Sequence, residues 1–213
     1  MDKVFSKVFM WLFIGLALTF GIAYTVSNNE TMVYNLFSDG KYLFVWIAEL
    51  VVVFVLSFRI RKMSSMTSTI LFLLYSGLTG LTLSSIFIVY TITSIVWVFA
   101  VAAGLFLIFG LIGYFTKLDL TKISTFLLMG LIGILLVCLV NMFIGSETID
   151  IALAVISIIV FLGFIAYDIQ IIKRNLYGIE NENSMAIYGA FQLYLDFINI
   201  FLDLLRLFGK SRD

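Results

Sequence analysis

Residues 94–115 read SIVWVFAVAAGLFLIFGLIGYF, twenty-two positions without one charge. A helix needs about twenty apolar residues to cross the hydrocarbon core of a bilayer. Six further apolar segments flank this one, at about 8–27, 42–60, 68–90, 123–145, 149–172 and 186–208. Over 213 residues the chain is 62% hydrophobic and 12% charged, with a mean hydropathy of +1.15. A soluble domain has about 45–50% apolar and about 25% charged residues. The fold class that follows is all-α, a polytopic membrane protein with a single transmembrane domain over residues 1–213. Its first partner is the lipid bilayer.

Composition also excludes functions. The 13 basic and 13 acidic residues cancel, and no basic tract points to nucleic acid. Cys138 is the only cysteine, so no intrachain disulfide can form. The absence of His removes the imidazole switch, the His metal ligand and Ser–His catalysis. Proton-linked behaviour near neutral pH must then come mainly from carboxyl groups. Without Pro, the commonest cause of a kinked membrane helix is missing. The N-terminal MDKVFSKVFMWLFIGLALTFGIAYTVSNN starts like a signal peptide. Its apolar stretch is too long and lacks a clean cleavage site, which predicts a retained first helix.

Basic residues set the orientation. Lys3, Lys7, Arg59, Arg61, Lys62, Lys117, Lys122, Lys173 and Arg174 fall at the N-terminal tail and in alternate links. The positive-inside rule therefore puts the N-terminus in the cytoplasm. The longest link, SNNETMVYNLFSDGK over 27–41, is polar and lies outside. The seventh segment is long enough to cross fully, which leaves Lys210 and Arg212 outside, against the bias; if it instead dips in and returns, both ends are cytoplasmic. Gly77 and Gly80, Gly110 and Gly113, and Gly130 and Gly133 each lie three apart, a spacing that lets helix backbones approach closely.

Charged side chains at bilayer depth cost on the order of 3 kcal/mol by insertion scales. Such residues either snorkel from a helix end or face the protein interior. Asp168, in FIAYDIQIIKR, lies inside the cytoplasmic end of the sixth segment, and Asp196 lies near the middle of the seventh. At 100° per residue, Gln192, Asp196, Asn199 and Asp203 form one stripe extended by Tyr188. That face should meet protein or a water-filled path. Arg206 is placed to pair with Asp203 at the helix end. Glu49 lies in the second segment, which closes with the basic SFRIRKM. An Arg from that cluster could reach inward to Asp168. If Asp168 and Asp196 touch, repulsion and desolvation oppose double ionisation, and the pair shares one proton. With both protons lost the pair attracts a cation, and its oxygen ligands suit Ca²⁺.

FIAYDIQIIK followed by GAFQLYLDFINIFLDLLRLFG resembles the transmembrane Bax inhibitor motif family, its bacterial members most closely. The likeness is most specific over residues 161–209. The resemblance implies a seven-helix bundle with the seventh helix central, and a pH-sensitive Ca²⁺ leak. It further implies that Asp168 and Asp196 form a hydrogen-bonded diad onto which an Arg at the end of the second helix, Arg59 or Arg61, latches. Ca²⁺ would be the permeant ion, in contact with Asp168 and Asp196, and no cofactor is expected.

Three functions compete at this point. One is a passive Ca²⁺ leak gated by protonation, another a proton-coupled H⁺/Ca²⁺ transporter, and the third a non-conducting regulator that binds other membrane proteins. An enzyme is not expected, because no positioned base or metal cluster accompanies the deep Ser84, Ser85, Tyr167 and Tyr194. An aspartic protease would need a Gly directly before its second Asp, where this chain has Leu195. A chain this compact suits a bacterial plasma membrane.

Overall fold

A computed structural model describes residues 2–38, 40–174 and 181–212, without the side chains of Asp2 and Arg61. Among the described residues there are eight α-helices and no strand. They are α1 (Asp2–Ser27), α2 (Glu30–Phe37), α3 (Lys41–Arg59), α4 (Ser65–Val89), α5 (Ile92–Phe115), α6 (Thr121–Ile144), α7 (Glu147–Arg174) and α8 (Glu182–Phe208). A single 3₁₀ turn, Ile60–Lys62, follows α3. All but α2 are long and apolar enough to span a membrane. The shortest, α3, has 19 residues and at 1.5 Å per residue is about 28 Å long, close to a bilayer core of about 30 Å. The protein is an all-α integral membrane protein.

The predicted link over 27–41 is not featureless, because it contains α2. Asn29 caps that helix, its Oδ1 accepting the Met32 N–H at 3.0 Å. Glu30 in the first turn suits the helix dipole. Hydropathy alone passes over a short amphipathic helix of this kind. Gly40 follows with φ +71°, a left-handed turn that glycine adopts without strain, and aims the chain into α3. A second left-handed glycine, Gly145, ends α6. The turn into α7 is held by Asn141, whose Nδ2 donates to Ser146 O at 3.0 Å and to Asp150 Oδ1 at 2.7 Å.

The chain divides into two compact units. One holds the described residues of Met1–Thr91, Tyr177–Tyr194 and Ser211–Asp213, and the other Ile92–Leu176 and Leu195–Lys210. α8 thus gives its first half to one unit and its second half to the other. Burial and apolarity trade off along the chain. α5 and α6 are the most apolar helices and are mostly exposed, whereas α8 is the least apolar span and the most enclosed. A helix that faces lipid can present no unsatisfied polar group, while one that faces protein can.

In the first unit α1 packs on α4. The Thr19 hydroxyl donates to Ser76 O at 2.8 Å and lies 2.6 Å from Tyr194 Oη. Phe72, Tyr75, Phe191 and Tyr194 meet edge to face, with centroids 5.7–5.8 Å apart. The first turn of α8 lies at the starts of α1 and α4. Lys7 reaches Glu182 at 3.5 Å and donates to Asn183 at 2.8 Å, and the Ser184 and Ser65 hydroxyls are 2.8 Å apart. Beyond the last turn of α8, the Arg212 N–H donates to Val89 O at 2.8 Å and its guanidinium to Phe87 O at 3.1 Å. The start of α8 and the residues just beyond its end are thus each fastened to elements of the first unit. Arg212 thereby satisfies open carbonyls at the C-terminus of α4.

In the second unit α7 packs on α5 and α6, and α8 adds Phe197 and Phe201. The Phe197 ring lies 5.2 Å from that of Phe99 and 5.9 Å from that of Phe106. Of the predicted glycine pairs, one member of each makes the tight approach. A Cβ at Gly80 would lie 2.8 Å from Thr19 O, and one at Gly113 would overlap the main chain of Ala166. Gly130 is the third, 3.2 Å from Val160. Gly77 and Gly110 have ordinary clearances, and Gly133 faces open space.

Two measurements check this architecture. Gly80→Ala and Gly113→Ala should each destabilise by about 1–3 kcal/mol through overpacking, while Gly133→Ala leaves detergent melting unchanged or slightly raised. Topology reporters fused to the two ends of the chain should report opposite sides of the membrane.

Candidate functional site

Asp168 lies six residues before the end of α7, about 9 Å along the helix axis. Asp196 lies fourteen residues into α8, close to its midpoint. Both belong to the second unit, and they are only 2% and 5% exposed. The structure brings them together, and a hydrogen bond joins their side chains. Two carboxyl oxygens share such a bond only if one carries a proton. Asp196 Oδ2 is buried, and Asp168 is the group that faces the Asp196 carboxyl. Phe197, Ile165 and Ile169, their neighbours along α8 and α7, are buried as well. The site therefore sets two carboxyl groups against one another within the protein interior.

The predicted stripe on α8 splits in two. Asp196 and Asp203 are buried, whereas Gln192 and Asn199 are half-buried and lie on the same side of the helix as the exposed Arg206. Asn199 spends its amide locally, donating to Leu195 O at 2.7 Å. Asp203 accepts a hydrogen bond from Ser157 of α7, and its distance to Arg206 is 3.9 Å. The predicted helix-end ion pair is thus present but long, and the carboxylate itself points inward to a hydroxyl.

Glu49 sits in the first unit, half-buried, and accepts a hydrogen bond from the Thr79 hydroxyl at 2.8 Å, with Thr82 as a second donor. Arg59 is exposed at the end of α3 and, with Phe58, Lys62 and Met63, lines a cavity of about 430 Å³. The side chain of Arg61 lies outside the described residues. Among the described residues no three metal-ligating side chains converge. A cation at the carboxyl pair would take its remaining oxygens from main chain or water.

Sequence reasoning passed over Thr79, Thr82, Ser157 and Gln170. Each is an uncharged polar residue inside an apolar run, so the depth argument applied to the carboxylates would have found them at a lower energy threshold.

With this geometry in view, the comparison with known proteins is decisive. A family model described as inhibitor of apoptosis-promoting Bax1 matches residues 1–213. The chain belongs to the Bax inhibitor family. Among bacterial relatives it is 46% identical to the inner membrane protein YbhL of Escherichia coli K12, over 97% of this chain and 91% of that one. It is 41% identical to an uncharacterised protein of Borreliella burgdorferi, over 100% and 94%. An uncharacterised membrane protein of Streptococcus pyogenes serotype M1 is 34% identical over 99% and 94%. The match covers every span of this Bax inhibitor family member, including both helices that carry the carboxyl pair.

The pair also makes a stability statement. Asp196→Asn keeps a donor for Asp168 and should stay within about 1 kcal/mol of the native protein, whereas Asp196→Leu removes the partner of a buried carboxyl and should cost about 1–3 kcal/mol. Thermal unfolding in detergent distinguishes the two.

Proposed function

We propose that this Bax inhibitor family protein is a passive cation leak with Ca²⁺ as its physiological ion, opened when the Asp168–Asp196 pair loses its shared proton. The observation that carries the reading is the buried carboxyl–carboxyl hydrogen bond between Asp168 and Asp196. While the proton is held, the pair has a single negative charge and closes on itself. Once it leaves, two carboxylates repel one another and offer hard oxygen ligands to a divalent cation. An arginine at the end of α3, Arg59 or Arg61, would latch the closed arrangement through Asp168. The alternating basic links favour a cytoplasmic N-terminus, and the inner-membrane relative favours a bacterial plasma membrane.

Ca²⁺ flux into liposomes loaded with a Ca²⁺ indicator tests the proposal. Flux through the native protein should rise with pH, by at most about tenfold per pH unit for one proton. Asp168→Asn and Asp196→Asn cannot form the doubly ionised pair, and their flux should lose that rise. Unchanged flux at every pH in both variants would sink the reading. Uphill Ca²⁺ movement driven by an imposed pH gradient would replace it with H⁺/Ca²⁺ exchange.

A further inference from the structure

Two residues after Asp168, α7 carries a second buried polar side chain that the carboxyl pair does not use. Gln170 is 1% exposed. Positions i and i+2 lie about 200° apart around a helix. If Asp168 faces α8, Gln170 faces away from it, and what it meets is the link between α5 and α6. Its Nε2 donates to Leu118 O at 2.8 Å, and its Oε1 accepts the Leu120 N–H at 2.9 Å. Both ends of one amide are thus bonded to main chain two residues apart, as a partner strand would bond it.

Other contacts fasten the same link. Lys173 donates to Tyr114 O and its ammonium sits 4.1 Å from the centroid of the Tyr114 ring. Arg174 donates to Asp119 Oδ1 at 3.2 Å. Asp119 also accepts from the Thr121 hydroxyl at 2.7 Å and from its N–H at 3.2 Å. Those bonds from Thr121 hold its carboxyl below the usual carboxylate range, with Arg174 and Lys122 adding attraction. Asp119 stays ionised around neutral pH, so this link does not switch there by losing that charge.

We propose that the α5–α6 link is a clasp that fixes the rotation of α7 about its own axis, with Gln170 as the positioning residue that holds Asp168 toward Asp196. The inference rests on the carboxyl pair being the gate. Turning α7 by about 30° would move a side-chain atom about 6 Å from the axis through about 3 Å, enough to break both Gln170 bonds. The two residues are rigidly out of phase on one helix, so Asp168 cannot swing away from Asp196 by rotation while Gln170 stays bound. Loosening the clasp frees that motion. Anything that pulls residues 116–120 away from α7 would then act on the gate from outside the pathway.

Disulfide formation reads the rotation without reference to ion flux. In a Cys138→Ser background, Asp168→Cys with Asp196→Cys should cross-link readily under mild oxidation. Adding Gln170→Met, which keeps the length of the side chain and removes both bonds, should slow cross-linking at least about tenfold, because misfaced Cβ atoms do not bridge. Gln170→Glu keeps the acceptor for Leu120 and loses the donor to Leu118, and its rate should fall between the two. An unslowed rate in either variant overturns the clasp, and Gln170→Glu alone decides the matter if Gln170→Met does not survive solubilisation. With both carboxyl groups restored, Gln170→Met should displace the pH midpoint of Ca²⁺ flux. An unmoved midpoint beside slowed cross-linking overturns the link from clasp to gate. A protein that passes no Ca²⁺ but still shows the slowed cross-link would instead count against the leak and leave the clasp standing.

Discussion

Hydrocarbon offers a polar group no hydrogen bond, and every part of this protein answers to that constraint. Backbone amides are satisfied inside seven long helices, since helices alone close their own hydrogen bonds within one segment. Side chains follow the same logic by position. Exposed spans such as α5 and α6 are almost purely apolar, and the polar residues concentrate on α4, α7 and α8, where protein covers them. Asp168 and Asp196 are the extreme case. A hydrogen bond joins their side chains, and protein covers both of them.

Helix α8 shows how such a site is built. Its first half is locked among aromatic rings in the first unit, through Phe191 and Tyr194. Its second half carries Asp196, Phe197 and Asp203 in the other unit. The full-length helix is anchored at both ends, by Lys7 and Ser65 at its start and by the carbonyls of Phe87 and Val89 beyond its last turn. Anchoring of this kind holds both ends of the helix that carries Asp196. The rotation of α7 supplies the other coordinate of the pair, and there the α5–α6 link and Gln170 have their place.

Kinship and geometry contribute different things. Membership of the Bax inhibitor family rests on a match across the whole chain, and its relatives are described as inner membrane or membrane proteins. Neither specifies an ion. The chemical argument for Ca²⁺ comes from the buried oxygens themselves, and the argument for a proton switch comes from the bond that only a shared proton can make.

Much of the protein was legible without coordinates. Apolar run length alone determined the all-α class and seven spans, because bilayer thickness is a constant that any spanning helix must match. The cost of burying charge singled out Asp168 and Asp196, since that cost is a property of the residue and its depth. Other features depended on which surfaces meet, and no single residue records that. The stripe on α8 divided into buried carboxylates and half-buried amides only when neighbouring helices covered one side of it. One glycine of each spaced pair took the close contact because crossing geometry selects a face that spacing leaves open. Ser157 and Gln170 acquired roles only through partners 46 and about 50 residues away in sequence, and long-range pairing of that sort is what tertiary structure alone decides.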